Sequence, residues 1–327
     1  LTFSTNGCHD GGDTKEFTMS LTGKVAIVTG SGRGLGLAYA QELARQGAAV
    51  VINDVDVATA DAAVKSIVDA GGRAVAVAAP VGPTATADAL VAAAVESFGR
   101  LDILVTNAGV LRDTVLWKMS DDDFDTVIGV HLRGTFTVVR AAATYMRQNE
   151  IPGRIICIGS PTGQRGNFGQ TNYAAAKAGI VGMVRTWALE LKKAGITVNA
   201  VIPVAATAMT ATVPYFAAAV EAEAAGGPMP AFFRHDLGFG TSDDVAPLVA
   251  YLASGAAAGV TGQAIGIGGD RLQLWSHPEP VATAYREGGW TSEALRDGFA
   301  EAVGELQSVG ERFPALPADL QRPAPTA

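Results

Sequence analysis

The sequence predicts an α/β fold: a doubly wound, mostly parallel sheet in a single domain. Two observations carry this. From Lys24 onward, short runs rich in Val, Ile and Ala alternate with amphipathic stretches, as a sheet covered by helices on both faces requires. The chain has 327 residues, 48% hydrophobic and 17% charged, enough to bury such a sheet without splitting into two cores.

The elements follow in order. "KVAIVTG" reads as a buried strand, and "GLAYAQELARQG" as a helix stopped by a glycine. "AVVIND" is the next strand, "ATADAAVKSIVDAGG" a helix, "RAVAVAA" a strand, "ADALVAAAVESFG" a helix and "LDILVTNAG" a strand. One long helix is predicted over "DDDFDTVIGVHLRGTFTVVRAAATYMRQN", followed by the strand "GRIICIGS", a helix around Tyr173 and the strand "ITVNAVIP". From about 204 to 240 the pattern loosens, which suits a lid over a substrate pocket or an ordinary surface excursion. The main domain is read as 19–270 and a C-terminal extension as 271–327, its proline-rich end expected to be disordered. Residues 1–18 lack the basic start and apolar core of a secretory signal and read as a flexible leader before Met19.

Composition excludes several functions. Net charge is −8, and no basic stripe interleaved with aromatics marks a nucleic-acid surface. No apolar run is long enough to span a membrane. The four histidines are scattered without ligand spacing, so no metal site is expected. The two cysteines form no disulfide framework: Cys8 lies in the leader and Cys157 in an apolar strand, which fits a reducing, cytoplasmic setting.

Chemistry concentrates in three places. "TGSGRGLG", residues 29–36, joins the first strand to the first helix. Gly30, Gly34 and Gly36 there let the backbone turn tightly and bring a helix N-terminus to a pyrophosphate, with Ser31, Arg33 and Leu35 completing the loop. Without a ligand, the same pattern is only a tight glycine turn. Asp54 ends the second strand, where a carboxylate accepts hydrogen bonds from ribose hydroxyls and repels a 2′-phosphate. NAD is therefore favoured over NADP, although Arg33 is placed to meet a phosphate.

The third place is Tyr173 and Lys177, one turn apart on one helix face. No other tyrosine in the chain has a lysine four residues on. A free phenol is a poor base at neutral pH, and a neighbouring ammonium favours the phenolate. Tyr173 then exchanges a proton with an alcohol or carbonyl. Ser160, thirteen residues earlier at a strand end, is placed to hold the reacting oxygen.

The order TGxxxGxG, Asp54, "NAG" (107–109), Ser160 and Tyr-x-x-x-Lys resembles the short-chain dehydrogenase/reductase family over roughly residues 21–270. The resemblance implies a Rossmann-type sheet and a cofactor site that adds Asn107, Ala108, Gly109, Pro203 and Thr207 to the loop residues, with Lys177 reaching the nicotinamide ribose. It also implies a homodimer or homotetramer. "NAGVLRDTVLWKMSDDDFDTVIGVHLRGTFTVVRAA" and "GNFGQTNYAAAKAGIVGM" are similar to the (3R)-hydroxyacyl-CoA and 17β-hydroxysteroid dehydrogenase subgroup. An acyl-CoA or steroid-like secondary alcohol is the substrate this implies. The reductase of 3-oxoacyl-carrier-protein, with NADPH, is the alternative enzyme, and a non-catalytic dinucleotide-binding protein the alternative class.

Three positions depart from the family pattern. His131 stands where an Asn is usual, and its backbone carbonyl can hold the same water beside the lysine. Pro80 replaces the Asp that meets the adenine, and Pro203-Val204 replaces Pro-Gly. Phe216, Met229, Phe232 and Phe233 in the loosened segment suit either an apolar substrate or packing of that segment itself. Arg234 and His235 either meet a CoA phosphate or lie in solvent.

Overall fold

A computed structural model describes residues 20–206, 214–310 and 313–321. The leader and Thr207 lie outside the described residues.

Eight strands form one sheet. The strands are β1 (Val25–Val28), β2 (Ala49–Asp54), β3 (Arg73–Ala78), β4 (Ile103–Thr106), β5 (Arg154–Ile158), β6 (Thr197–Pro203), β7 (Ala264–Gly268) and β8 (Arg271–Trp275). Their order is β3-β2-β1-β4-β5-β6-β7-β8, parallel throughout except that β8 runs antiparallel to β7. The order reverses direction between β1 and β4, the switch point where doubly wound sheets open a crevice at the carboxyl ends of their strands.

The central strands are near-continuous apolar runs because both faces are covered. On one face lie α1 (Gly34–Arg45), α2 (Val57–Asp69) and α9 (Ser242–Ala253), sharing a core with Val28, Val50 and Ile156. On the other lie α3 (Thr84–Phe98), α5 (Gly134–Gln148) and α7 (Thr171–Glu190), packed on Ile27, Val51 and Ile155. Successive strand residues alternate between these two cores, as the two-residue period demands. Each fully buried Leu, Ile or Val in them contributes about 1.5–3 kcal/mol.

The long helix expected over residues 121–149 is interrupted. The structure has α4 (Asp121–Val127), a π-helical turn at Ile128–Arg133, and then α5. Hydrophobic periodicity cannot register one extra residue in a turn. That residue rotates the following side chains and carries His131 inward, where it is 2% exposed. Such π-turns are frequent at functional sites.

The boundary expected at 270 falls between two paired strands, because β8 adds the first residues of the extension to the sheet edge. Beyond it, α10 (Ser292–Val303) is solvent-exposed, with no residue buried. The proline-rich stretch expected to be disordered is described as far as 321, and its Leu316 and Leu320 pack against other residues. Its remainder lies outside the described residues.

The segment from 204 to 240 has its own apolar cluster, with Ala206, Phe216, Met229, Phe233 and Phe239 buried. A bridge between Ala205 and Gly240 closes its base. Within it lie a turn at Pro214–Phe216, α8 (Ala217–Ala224) and a π-turn at Phe232–Asp236. Arg234 meets neither of the fates expected for it. Its guanidinium donates to both carboxylate oxygens of Asp244 (2.9 and 3.0 Å) and to Asp270 (2.8 Å). This network ties the segment to the start of α9 and to the β7–β8 turn. Among the described residues no helix is long and apolar enough to cross a membrane.

Candidate active site

The glycine loop leaves β1 and enters α1 as expected. Gly34 has φ +56°, a left-handed conformation that favours glycine, and a Cβ there would meet nothing within 4 Å. Gly36 is required for a different reason: a Cβ would collide with the Gly30 carbonyl and the Asn107 side chain. No side chain caps α1 and no acidic residue occupies its first turn. Its N-terminal N–H groups and positive dipole end are therefore suited to an anion. The residues present fit a dinucleotide pyrophosphate over Gly34, Leu35 and Gly36.

Neighbouring groups shape the rest of the cradle. Ser31 is buried, donates to Val28 O (2.7 Å) and accepts from Asn53 N (3.1 Å), locking the loop to β2. Arg33 is exposed. Asp54 accepts from Gly32 N and Asp56 N, both at 3.2 Å, so its carboxylate is fixed beside the loop. Asn107 donates to Thr29 O (3.1 Å) and Gly30 O (2.8 Å), while Thr29 Oγ1 accepts from the N–H groups of Asn107 and Ala108. Thr29 is thus a linchpin that the motif contained and sequence reasoning did not single out; its signal was its position just before the first glycine.

Pro203 lies at the carboxyl end of β6 and is partly exposed. Beyond β3, Pro80 is exposed, and Asn53 Nδ2 ties down the strand exit through Val77 O and Ala79 O.

Ser160 follows β5 and caps α6 (Pro161–Arg165), accepting from Thr162 N at 3.2 Å. α6 packs on α7, which carries the other two groups. The Ser160 hydroxyl is close enough to the Tyr173 phenol to act on its ionisation. Burial pushes the Tyr173 pKa above the usual phenol value, the Ser160 hydroxyl opposes this, and the Asp113 carboxylate adds to the rise. Asp113, on the loop after β4, was not foreseen. That loop is joined to the approach to α7 by Gln170 donating to Asp113 (2.7 Å) and Thr114 N donating to Gly169 O (2.9 Å).

Lys177 is buried, and its Nζ donates to Ile158 O at 2.7 Å, lying 5.6 Å from the Tyr173 ring centroid. Desolvation lowers its pKa from 10.5 to about 7. An ammonium held there is expensive without a partner charge.

His131 Nε2 is 2.8 Å from Val110 O and 3.0 Å from Val110 N. Whichever tautomer is present, the ring therefore grips the loop that carries Asn107, Ala108 and Gly109. Burial, with the Lys177 charge adding, lowers its pKa to about 3, so the ring is neutral at physiological pH. Its Nδ1 is buried without a hydrogen-bond partner among the described residues. Cys157 is buried and reduced, its thiol pushed up to about 12 by desolvation. Among the described residues no cluster of His, Cys, Asp or Glu is arranged to hold a metal.

The glycine loop after β1, with Ser160 after β5 and Tyr173 and Lys177 on α7, is the candidate site of an oxidoreductase that uses a nicotinamide dinucleotide. Residues 24–215 match the family described as short chain dehydrogenase, and the chain belongs to that family, whose members act on CH–OH groups. The hydroxyacyl-CoA dehydrogenase ChsB1 of Mycobacterium tuberculosis is 43% identical over 300 residues, covering 86% of this chain and 90% of that one. The 3-oxoacyl-[acyl-carrier-protein] reductase FabG of Thermotoga maritima is 39% identical, over 77% of this chain and 98% of its own. Mouse peroxisomal multifunctional enzyme type 2 is 44% identical over 58% of this chain, which spans only 27% of that protein. A crystal structure of a short chain dehydrogenase from Mycobacterium avium superimposes with a TM-score of 0.75 at 34% identity, over 90% of this chain and 99% of that one.

Proposed function

We propose that the chain is an NAD-dependent dehydrogenase interconverting a secondary alcohol and a ketone on a 3-hydroxyacyl-CoA. The observation that carries this is the buried Lys177, its Nζ 5.6 Å from the Tyr173 ring centroid, with Ser160 acting on the same phenol. Ser160 orients the reacting oxygen, Tyr173 takes or returns its proton, and Lys177 biases the phenol electrostatically. The bound nicotinamide supplies the hydride acceptor or donor. Tyr173 and Lys177 would also hold the nicotinamide ribose, and Asn107, Ala108, Gly109 and Pro203 would line the cofactor.

Asp54 supports NAD, since its fixed carboxylate would stand beside a 2′-phosphate as one uncompensated anion against another. The identity with the hydroxyacyl-CoA dehydrogenase across nine-tenths of that protein supports the acyl-CoA; a 17β-hydroxysteroid is the other substrate of this branch. The apolar segment 204–240 acts as the lid. The exposed Phe136 on α5 and Leu189 on α7 support a homodimer or homotetramer assembled through these helices.

Initial rates with NAD+ and with NADP+ test the reading, using a 3-hydroxyacyl-CoA series and a 17β-hydroxysteroid in parallel. NAD+ turnover of the acyl-CoA is expected. Turnover only with NADP+ would instead favour the carrier-protein reductase, which the FabG likeness keeps as the second reading.

A further inference from the structure

The extension leaves the sheet at Trp275 and returns to the body at two points. At the first, Gly310 N donates to Arg165 O (2.7 Å) and Arg165 Nε donates to Gly310 O (3.2 Å). At the second, Phe313 stacks on Tyr215 with centroids 4.9 Å apart and meets Phe216 edge-on at 5.4 Å. Tyr215 Oη also donates to Pro314 O (2.8 Å), and Leu316 and Leu320 then join the lid's apolar cluster.

The two anchors belong to segments that follow neighbouring strands. Arg165 ends the helix that Ser160 begins, directly after β5. Tyr215 belongs to the segment that follows β6. β5 and β6 are parallel neighbours, so both segments start from the carboxyl edge of the sheet, where doubly wound folds bind their ligands. Gly310 and Phe313 thus tie the end of α6 to the segment after β6.

We propose that Gly310 and residues 313–320 act as an intramolecular strap that holds the lid to α6, so that Arg165, Tyr215 and Phe313 determine which substrate chain lengths the site accepts. Phe313 is 45% exposed, leaving part of its ring free beside the apolar cluster as a surface for an aliphatic tail. A short acyl group ends before reaching the strap, whereas a long one lies against it and depends on the lid staying in place. The proposal rests on the reading of 204–240 as the lid of an acyl-CoA dehydrogenase.

The test compares wild type with Phe313→Ala and Tyr215→Phe, measuring kcat/KM along a 3-hydroxyacyl-CoA series and amide hydrogen exchange across 215–239. An exposed aromatic contact of this kind corresponds to about tenfold in an equilibrium. Phe313→Ala is therefore expected to lower the long-to-short ratio of kcat/KM about tenfold and to speed lid exchange by a similar factor. Tyr215→Phe, which removes only the hydroxyl, is expected to shift both in the same direction by less. Faster exchange with an unchanged chain-length ratio overturns the specificity role, and unchanged exchange overturns the strap itself. If wild type turns over no acyl-CoA, the substrate reading fails, and with it the role in chain-length choice; the exchange rates then decide separately whether the strap exists.

Discussion

The rings of His131 and Tyr173 meet edge-on, with centroids 5.1 Å apart and planes at 87°. The π-turn at Ile128–Arg133 produces this contact, and it makes His131 a lateral support for the proposed acid/base while Nε2 holds the Val110 backbone. The His131 side chain thus touches both Tyr173 and the loop after β4.

Replacing Tyr173 with Phe keeps the ring and its packing but removes the proton. The variant is expected to fold and to bind NADH as wild type does, while kcat falls by about 10²–10⁴. Fluorescence titration and steady-state rates check this. A variant keeping most of its turnover would remove Tyr173 from the role.

Lys177 has a folded pKa near 7 against 10.5 when unfolded. Between those values the unfolded chain binds more protons, so stability rises with pH. The full penalty is present below pH 7 and is relieved as pH climbs toward 10.5, by about 1.4 kcal/mol per unit. Lys177→Met is therefore expected to be more stable than wild type at pH 6, with a gap that narrows by pH 9, although it loses activity. Urea unfolding of both proteins at the two pH values measures the gap.

His131 is also depressed, to about 3, so it favours the unfolded chain only when protonated. Its neutral form is stable above pH 6.5, and stability falls as pH drops from 6.5 toward 3. His131→Asn is expected to lose less stability than wild type over that interval in thermal unfolding followed by circular dichroism. Parallel losses in the two proteins would show that the ring is not buried neutral.

Gly109 abuts the same ring, since a Cβ there would overlap His131 Cε1. Gly109→Ala is expected to cost about 1–3 kcal/mol by overpacking. The cost should largely vanish in a His131→Ala background, where the methyl has room. A double-mutant cycle in denaturant reads the coupling, and additive losses would mean the backbone at 109 is at fault.

Asp54→Ser removes the carboxylate from the end of β2 and leaves Arg33 in place. The ratio of kcat/KM for NAD+ to that for NADP+ is expected to fall at least tenfold, equivalent to about 1.4 kcal/mol. An unchanged ratio would place cofactor choice elsewhere.

Much of this protein was legible along the chain because the relevant physics is local. Strand runs buried on both faces, a glycine-bearing turn between strand and helix, and a Tyr and Lys one turn apart are all short-range patterns. The order of residues alone therefore determined the parallel α/β sheet, the glycine turn between β1 and α1 and the placing of Tyr173 and Lys177 on one helix.

Tertiary structure decided the rest, since burial and direction are not local quantities. The sequence pattern made Lys177 a charge beside a phenol; packing turned its Nζ to Ile158 O and lowered its pKa. The π-turn, invisible to periodicity, packs His131 against Val110 and Tyr173. Arg234, open to a phosphate on paper, is held by Asp244 and Asp270, both more than nine residues away in the chain. Only the folded chain brings Gly310 to Arg165 and Phe313 to Tyr215, because no local preference specifies contacts between residues about a hundred or more positions apart.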